Sequence, residues 1–331
     1  MPEALEGEYS ALRGRAARVE VESDWLRVAG SDRLRFSNGL VTCDLKNLGA
    51  GEGAYGFFTD PKGRVLTDAA FLETGADLWV ELPSQKGAEI ARHMAGYVVA
   101  DQVDVTVLDG WRSLRVAGPR LEVELPPALG VASPSSAWGG QLFELEGERW
   151  LIRDERRLGV PGVVLAGDVN SVKVAENKLA EAGFETVGAQ AVEAVRIEEG
   201  VSWFGSEFGL PTMAAAFPQE TGLEDWAVSY EKGCYLGQEV VARIHFRGKV
   251  NRSLRGLLFE PESLPTLGME LTSGGETVGV VGIVAESVRL GRPIGLAIVH
   301  HKAKPGGELV TAGGRCRLVE LPFLPPADAG A

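Results

Sequence analysis

At 331 residues the chain is longer than one hydrophobic core normally organises, so two or three domains are expected, and a 45% hydrophobic share beside 24% charged residues excludes disordered and fibrous classes. A net charge of −13 argues against stable nucleic-acid binding. The N-terminus has no basic stretch leading into an apolar one, no apolar run reaches the ~18 residues of a membrane span, and three distant cysteines (Cys43, Cys234, Cys316) make neither a disulfide framework nor a resident metal site, so a cytoplasmic protein without membrane attachment is expected.

In chain order, alternation and β-branched residues predict strands near Trp25–Ala29, Ala54–Thr59, Arg64–Leu72, Leu78–Leu82, Val103–Leu108 and Ser113–Val116. Asp60-Pro61-Lys62-Gly63 reads as a hairpin turn. Helical spacing fits Asp32–Leu40, Gln85–Gly96, Asp168–Gly183 (with Asp168 as N-cap) and Gln190–Glu199. Pro126–Gly140, rich in Pro, Gly, Ser and Ala, reads as an exposed connection. Beyond Asn251 only short strands follow: Leu254–Phe259, Thr277–Val284, Ile294–Val299, Leu309–Ala312 and Cys316–Leu321. These predict an α+β fold in which antiparallel lobes occupy residues 1–250, an all-β barrel 251–323 and a tail 324–331.

The chemistry concentrates in Lys232-Gly233-Cys234-Tyr235-Leu236-Gly237-Gln238-Glu239 and the run that follows it. From Lys232 to Arg255 six basic residues (Lys232, Arg243, Arg247, Lys249, Arg252, Arg255) face one acid, Glu239. An anion should dock there, and two glycines let the backbone approach it. Free cysteines are most often small core residues, but neighbouring cations and a helix start would stabilise a thiolate at Cys234. His93 reads as a surface helix residue, His300-His301 as a strand-end turn, and His245 as part of the anion segment. Gly49-Ala50-Gly51-Glu52-Gly53 lacks the strand-before, helix-after setting of a dinucleotide loop.

The octapeptide resembles the K-G-C-[YF]-x-G-Q-E signature of the YgfZ family, folate-binding proteins of iron–sulfur cluster assembly or repair that are related to the glycine-cleavage aminomethyltransferase. Asp24–Asp32, Ser37–Leu45 and Phe58–Arg64 resemble further segments of that family. The resemblance implies ferredoxin-like lobes around a folate pocket, capped by the barrel, with tetrahydrofolate as ligand and iron–sulfur assembly or client proteins as partners. It implies that Trp25, Arg196, Glu198, Lys232, Gln238, Glu239, Arg243 and Arg247 bind folate, and that Cys234 and Asp68 carry the chemistry. In Arg196-Ile197-Glu198-Glu199-Gly200 the glutamate is suited to grip the donor edge of a pterin, while Arg243, Arg247 and Lys249 would draw a polyglutamate tail. Where relatives place a second folate-contacting tryptophan, this chain has Ala191, which leaves Trp203 or Trp226 to fill the space.

Two other readings compete. A working aminomethyltransferase carries two adjacent acids after the glycine-containing hairpin, whereas Gly63-Arg64-Val65-Leu66-Thr67-Asp68 keeps one. An RNA-binding module would use the Lys232–Arg255 patch, against the overall negative charge.

Overall fold

Strand alternation over the first third of the chain resolves into a separate sheet in the computed structural model, which describes residues 3–211, 213–248 and 250–323, with backbone alone at 170. The chain starts with α1 (Glu3–Gly14) and β1 (Ala17–Val19). It continues through β2 (Ser23–Ala29), α2 (Arg33–Asn38), the hairpin β3 (Gly53–Thr59) and β4 (Val65–Glu73), then β5 (Leu78–Pro83), α3 (Gly87–Ala95) and β6 (Asp104–Val107). These strands pair antiparallel in the order β3-β4-β5-β2-β6.

Next come β7 (Trp111–Ala117), α4 (Leu121–Leu129), β8 (Gly140–Leu145), β9 (Glu148–Glu155), β10 (Gly162–Asp168), α5 (Val169–Glu181), β11 (Thr186–Val187) and α6 (Ala189–Glu198). Their strands recruit β1 into a second sheet, β11-β1-β7-β10-β9-β8. After α7 (Glu224–Ala227) and α8 (Gln238–Arg247) the chain forms β12 (Arg252–Phe259), β13 (Glu270–Ser273), β14 (Glu276–Val280), β15 (Val284–Ser287), β16 (Arg292–His300), β17 (Glu308–Thr311) and β18 (Gly314–Val319). The run β12-β18-β17-β13-β14-β16 closes because β16 also pairs with β12. The fold is therefore α+β, with one antiparallel-sheet lobe, a second that is antiparallel except for the parallel β1–β11 pair, and a C-terminal barrel.

The two sheets meet face to face, and the strand period of two decides what lies between them. Trp25 and Ser23, Leu72 and Asp68, Trp79 and Glu81, Leu151 and Arg153, and Ser113 and Arg115 share faces pairwise. The apolar members, Trp25, Leu72, Trp79 and Leu151, form one buried cluster with Val164 and Ala166. The polar members gather at its end, which sets the position of the site described below.

Several elements escaped the sequence reading. In α1 the buried residues are Leu5, Tyr9 and Leu12, a sparse stripe in an acidic helix that packs on α6. The 126–140 stretch is only partly an exposed connection. Leu125 and Leu129 in α4, then Val131 and Trp138, are buried despite Pro126 and Pro127. The predicted strand Thr277–Val284 is divided between β14 and β15. Asp168 does cap α5, accepting from the Ser171 N–H at 3.1 Å.

Gly237 precedes α8 with φ 82°, and a Cβ there would lie 2.5 Å from the Asp60 carbonyl oxygen and 2.9 Å from Thr59 Oγ1. Gly233 has open space around it. Gly237→Ala should therefore cost roughly 2–4 kcal/mol, combining left-handed strain with overpacking, and Gly233→Ala less than about 1 kcal/mol. Urea unfolding checks this, with a lower midpoint and unchanged slope expected for Gly237→Ala alone.

Candidate functional site

Between the sheets the charged side chains enclose a cavity of about 280 Å³. Its wall includes Asp68 of β4, Glu81 of β5, Arg115 of β7, Glu155 of β9 and Arg157 beyond it. Ser23, Pro83 and Ser84 line one side, and Trp203, Phe204 and Gly205 the other. Glu81 accepts from Arg115 and Arg153, and from Arg157 at 3.3 Å. Glu155 accepts from the Arg157 guanidinium at 3.0 and 2.8 Å and from Arg115 and Arg153 at 3.3 Å.

Three carboxylates and three guanidiniums thus balance. Burial pushes the Glu81 and Glu155 carboxyls up, but the surrounding arginines outweigh it and hold both below the ordinary carboxylate range. Asp68 is different. Burial raises its pKa against the opposing pull of Arg157, 3.9 Å away, and of the Tyr55 hydroxyl, which donates to Oδ2 at 2.6 Å. Its Oδ1 has no hydrogen-bond partner among the described residues. Thr67 beside it is buried and donates to the Asp68 carbonyl at 3.2 Å.

The residues expected at a folate pocket are distributed over three places. Asp68 lines the cavity. Trp25 is buried behind it, its Nε1 donating to Ser113 Oγ at 2.8 Å. Arg196 and Glu198 are both buried on α6 but serve different neighbours. Arg196 donates to Glu207 at 3.1 Å and to the Val201 carbonyl at 2.8 Å, and stacks 4.6 Å from the Trp203 ring centre. Glu198 accepts from Tyr9 and Ser287 at 2.6 Å each and from Arg13 at 2.8 Å, tying α1 and β15 to α6. Arg196 therefore orients Glu207 rather than Glu198. Burial pushes the Glu207 carboxyl up to about 7 against the pull of Arg196. Ala191 is buried against the α1 core. Trp203 reaches the cavity wall, whereas Trp226 lies on α7, edge-on to Trp138 at 6.0 Å.

The Lys232–Arg247 segment packs elsewhere, on the β3–β4 hairpin. Leu236 donates its N–H to the Gly39 carbonyl at 3.0 Å and accepts from Thr59 Oγ1 at 2.6 Å. The Lys232 ammonium turns inward to the carbonyls of Asn38 (2.7 Å), Val41 (2.8 Å) and Cys43. It was expected to polarise Cys234; instead it clamps the 38–43 loop, and burial lowers its pKa to about 8. Three of the four segments that carried the family resemblance, the octapeptide, Ser37–Leu45 and Phe58–Arg64, are thereby brought into contact. Cys234 is exposed, while Cys43 and Cys316 are buried and burial pushes each thiol up to about 12. Gln238 Nε2 donates to the Gly233 carbonyl at 3.5 Å; Glu239, Arg243 and Arg247 are exposed on or near α8, and Lys249 lies outside the described residues. His245 pairs with Glu224 at 3.0 Å, and His93 is half-buried, edge-on to Phe58, rather than simply on the surface.

With this geometry in view, the GCVT N-terminal domain family matches residues 1–130. An aminomethyltransferase of Rubrobacter xylanophilus is 27% identical over 96% of this chain and 86% of its own length. The tRNA-modifying protein YgfZ of Klebsiella pneumoniae is 27% identical over 91% of each chain. The chain is similar to both. In the solved structures, glycine cleavage system aminomethyltransferase T from Bartonella henselae superposes with a TM-score of 0.83 at 20% identity, covering 97% of this chain and 89% of that one, and so shares the fold.

The YgfZ-like signature directed attention to α8 and away from the cavity floor. Glu81, Arg115, Arg153, Glu155 and Arg157 were missed, although a signal existed. Arg153, Glu155 and Arg157 alternate at i, i+2, i+4 directly after the apolar Trp150-Leu151-Ile152, which puts opposite charges on the face that Leu151 buries. Glu81 is likewise a lone acid in an apolar strand.

Two measurements check these assignments. At pH 7 iodoacetamide should modify Cys234 in the folded protein, while Cys43 and Cys316 react only on unfolding, as read by mass spectrometry. Lys232→Ala should lower stability by about 2–4 kcal/mol by leaving buried carbonyls unpaired, without slowing alkylation of Cys234.

Proposed function

We propose that this chain is a tetrahydrofolate-binding accessory protein that supports iron–sulfur enzymes, such as those that modify tRNA, in the cytoplasm. The observation that carries the ligand assignment is that buried Asp68, whose Oδ1 has no hydrogen-bond partner among the described residues, lines a cavity with an aromatic wall. A reduced pterin is a planar ring system with N–H donors along one edge. Trp203 and Phe204 suit its faces and Asp68 its edge. Glu81 and Glu155 are already engaged by arginines, which leaves Asp68 as the carboxylate that holds or moves a proton at the ligand. When bound, the folate would supply one-carbon chemistry; the protein's part is to position the ring and keep Asp68 dry.

The accessory role rests on the retained YgfZ-like signature, with Cys234 exposed on a clamped loop, and on Thr67 standing where a transferase has a second acid. One observation favours the alternative, an aminomethyltransferase: Asp68 itself is retained and faces the cavity. A glutamyl tail has a less favourable route than the basic segment suggested. The hollow that shares Val21, Glu22, Ser23 and Ser84 with the cavity presents Glu20, Glu22, Asp24 and Glu176 against Arg112 and Lys173.

Calorimetry on the full chain tests the reading. Tetrahydrofolate should bind, its triglutamate no more tightly, and Asp68→Asn should weaken binding about 10-fold, the equivalent of ~1.4 kcal/mol. Absence of binding to the wild type would sink the folate assignment. Release of methylenetetrahydrofolate from an aminomethylated lipoyl carrier at ~1–10³ s⁻¹ would make the transferase reading the better one.

A further inference from the structure

The basic residues that the sequence singled out converge on a different hollow. A groove of about 600 Å³ lies where the β3–β4 hairpin, α8 and the barrel meet. It is lined by Arg64, Phe217, Glu220, Arg243, Arg252 and His300, among others, and shares no lining residue with the central cavity. Two of its guanidiniums are held in place. Arg252 donates to Glu220 at 2.9 and 2.7 Å and to the Ala215 carbonyl at 3.1 Å. Arg64 donates to the same carbonyl at 2.7 Å and lies 3.6 Å from the centre of the Phe217 ring. Arg243 faces the groove from α8 and makes no ion pair among the described residues.

Three arginines against one glutamate leave the groove with a net charge of +2 before histidine is counted. The His300 imidazole is held below its ordinary range by desolvation, then by its neighbours His301 and Lys302, and last by Arg252 of the groove. Fixed guanidiniums present several parallel N–H donors that match phosphate oxygens, and desolvated pairs of this kind are stronger than neutral hydrogen bonds. The cations come from three separate parts of the chain and line one groove, which suits a ligand that carries more than one anionic group.

We propose that this groove is a binding site for an oligophosphate, either the phosphate chain of a nucleotide or a free polyphosphate. Arg243 is the residue left to close on it, between the fixed Arg64 and Arg252. The site is independent of folate binding, which is read in a separate titration.

The test is calorimetry on the full chain at low ionic strength with tripolyphosphate, ATP and citrate as probes. Tripolyphosphate should bind, more weakly as salt rises. Arg243→Gln, an exposed change that should leave folding intact by circular dichroism, should weaken it at least about 10-fold, as expected for loss of a charge-assisted contact. Arg317→Gln, an exposed barrel position away from the groove, should change affinity less than about 2-fold, the level of a distant screened charge. Equal affinity for ATP and tripolyphosphate would identify the phosphate chain as the recognised part, and tighter ATP binding would identify a nucleotide; both uphold the site. Lack of tripolyphosphate binding, equal losses in the two variants, or citrate binding as tightly as tripolyphosphate would overturn it.

Discussion

Glu81 carries the contact between the two sheets. It projects from β5 into guanidiniums of Arg115, Arg153 and Arg157, all from the opposite sheet or the loop that leaves it, and is fully buried. Charges removed from water are tolerated only when geometry and neutralisation are close to complete. Here Glu155 and Asp68 bring the cluster to neutrality, and Trp25, Leu72, Trp79 and Leu151 seal its inner end. Removing one partner would leave an uncompensated charge in a dry interface. The cluster therefore fixes the separation and register of the sheets more narrowly than apolar packing would, and the cavity is the space that this fixed separation leaves open.

A second clamp acts on the other side of the β3–β4 hairpin. Lys232 holds three carbonyls of the 38–43 loop, Leu236 bridges Gly39 and Thr59, and Gly237 lies against Gly63. Strand β4 is thus fastened by the signature loop near its start and by the charge cluster at Asp68. Movement at one would be transmitted to the other through the first residues of a single strand, Val65 to Asp68.

The fold was legible wherever burial on one face left a period. Strands β2 to β7, helices α3, α5 and α6, and most of the barrel were anticipated because their apolar residues recur at two or at three to four. α1 and α4 were not, since an acidic helix with three core contacts and a helix containing two prolines give weak local signals. Sites were harder. Glycines and cations around Cys234 mark a folded loop, but sequence alone does not tell whether Lys232 faces outward to a thiol or inward to carbonyls. Arg196 and Glu198 are two residues apart and both buried, yet one turns toward Glu207 and the other toward Tyr9, Arg13 and Ser287. Such choices depend on groups supplied from ~190 positions away in the chain, as for Tyr9 and Glu198.

The pairing of β1 has a consequence for how the chain acquires this structure. β1 lies between β7 and β11, so residues 17–19 wait for residues 115–117 and then 186–187 before they are paired on both sides. The other sheet, built from residues 23–107, has all its strands within one uninterrupted segment. Long-range pairing closes larger loops and is slower than pairing within a segment. During synthesis the 23–107 lobe can complete while β1 still has an open edge, and the arrival of β11 and α6 from the ribosome closes the sheet that encloses the cavity. The cavity is accordingly a late product of folding, assembled around a lobe already formed.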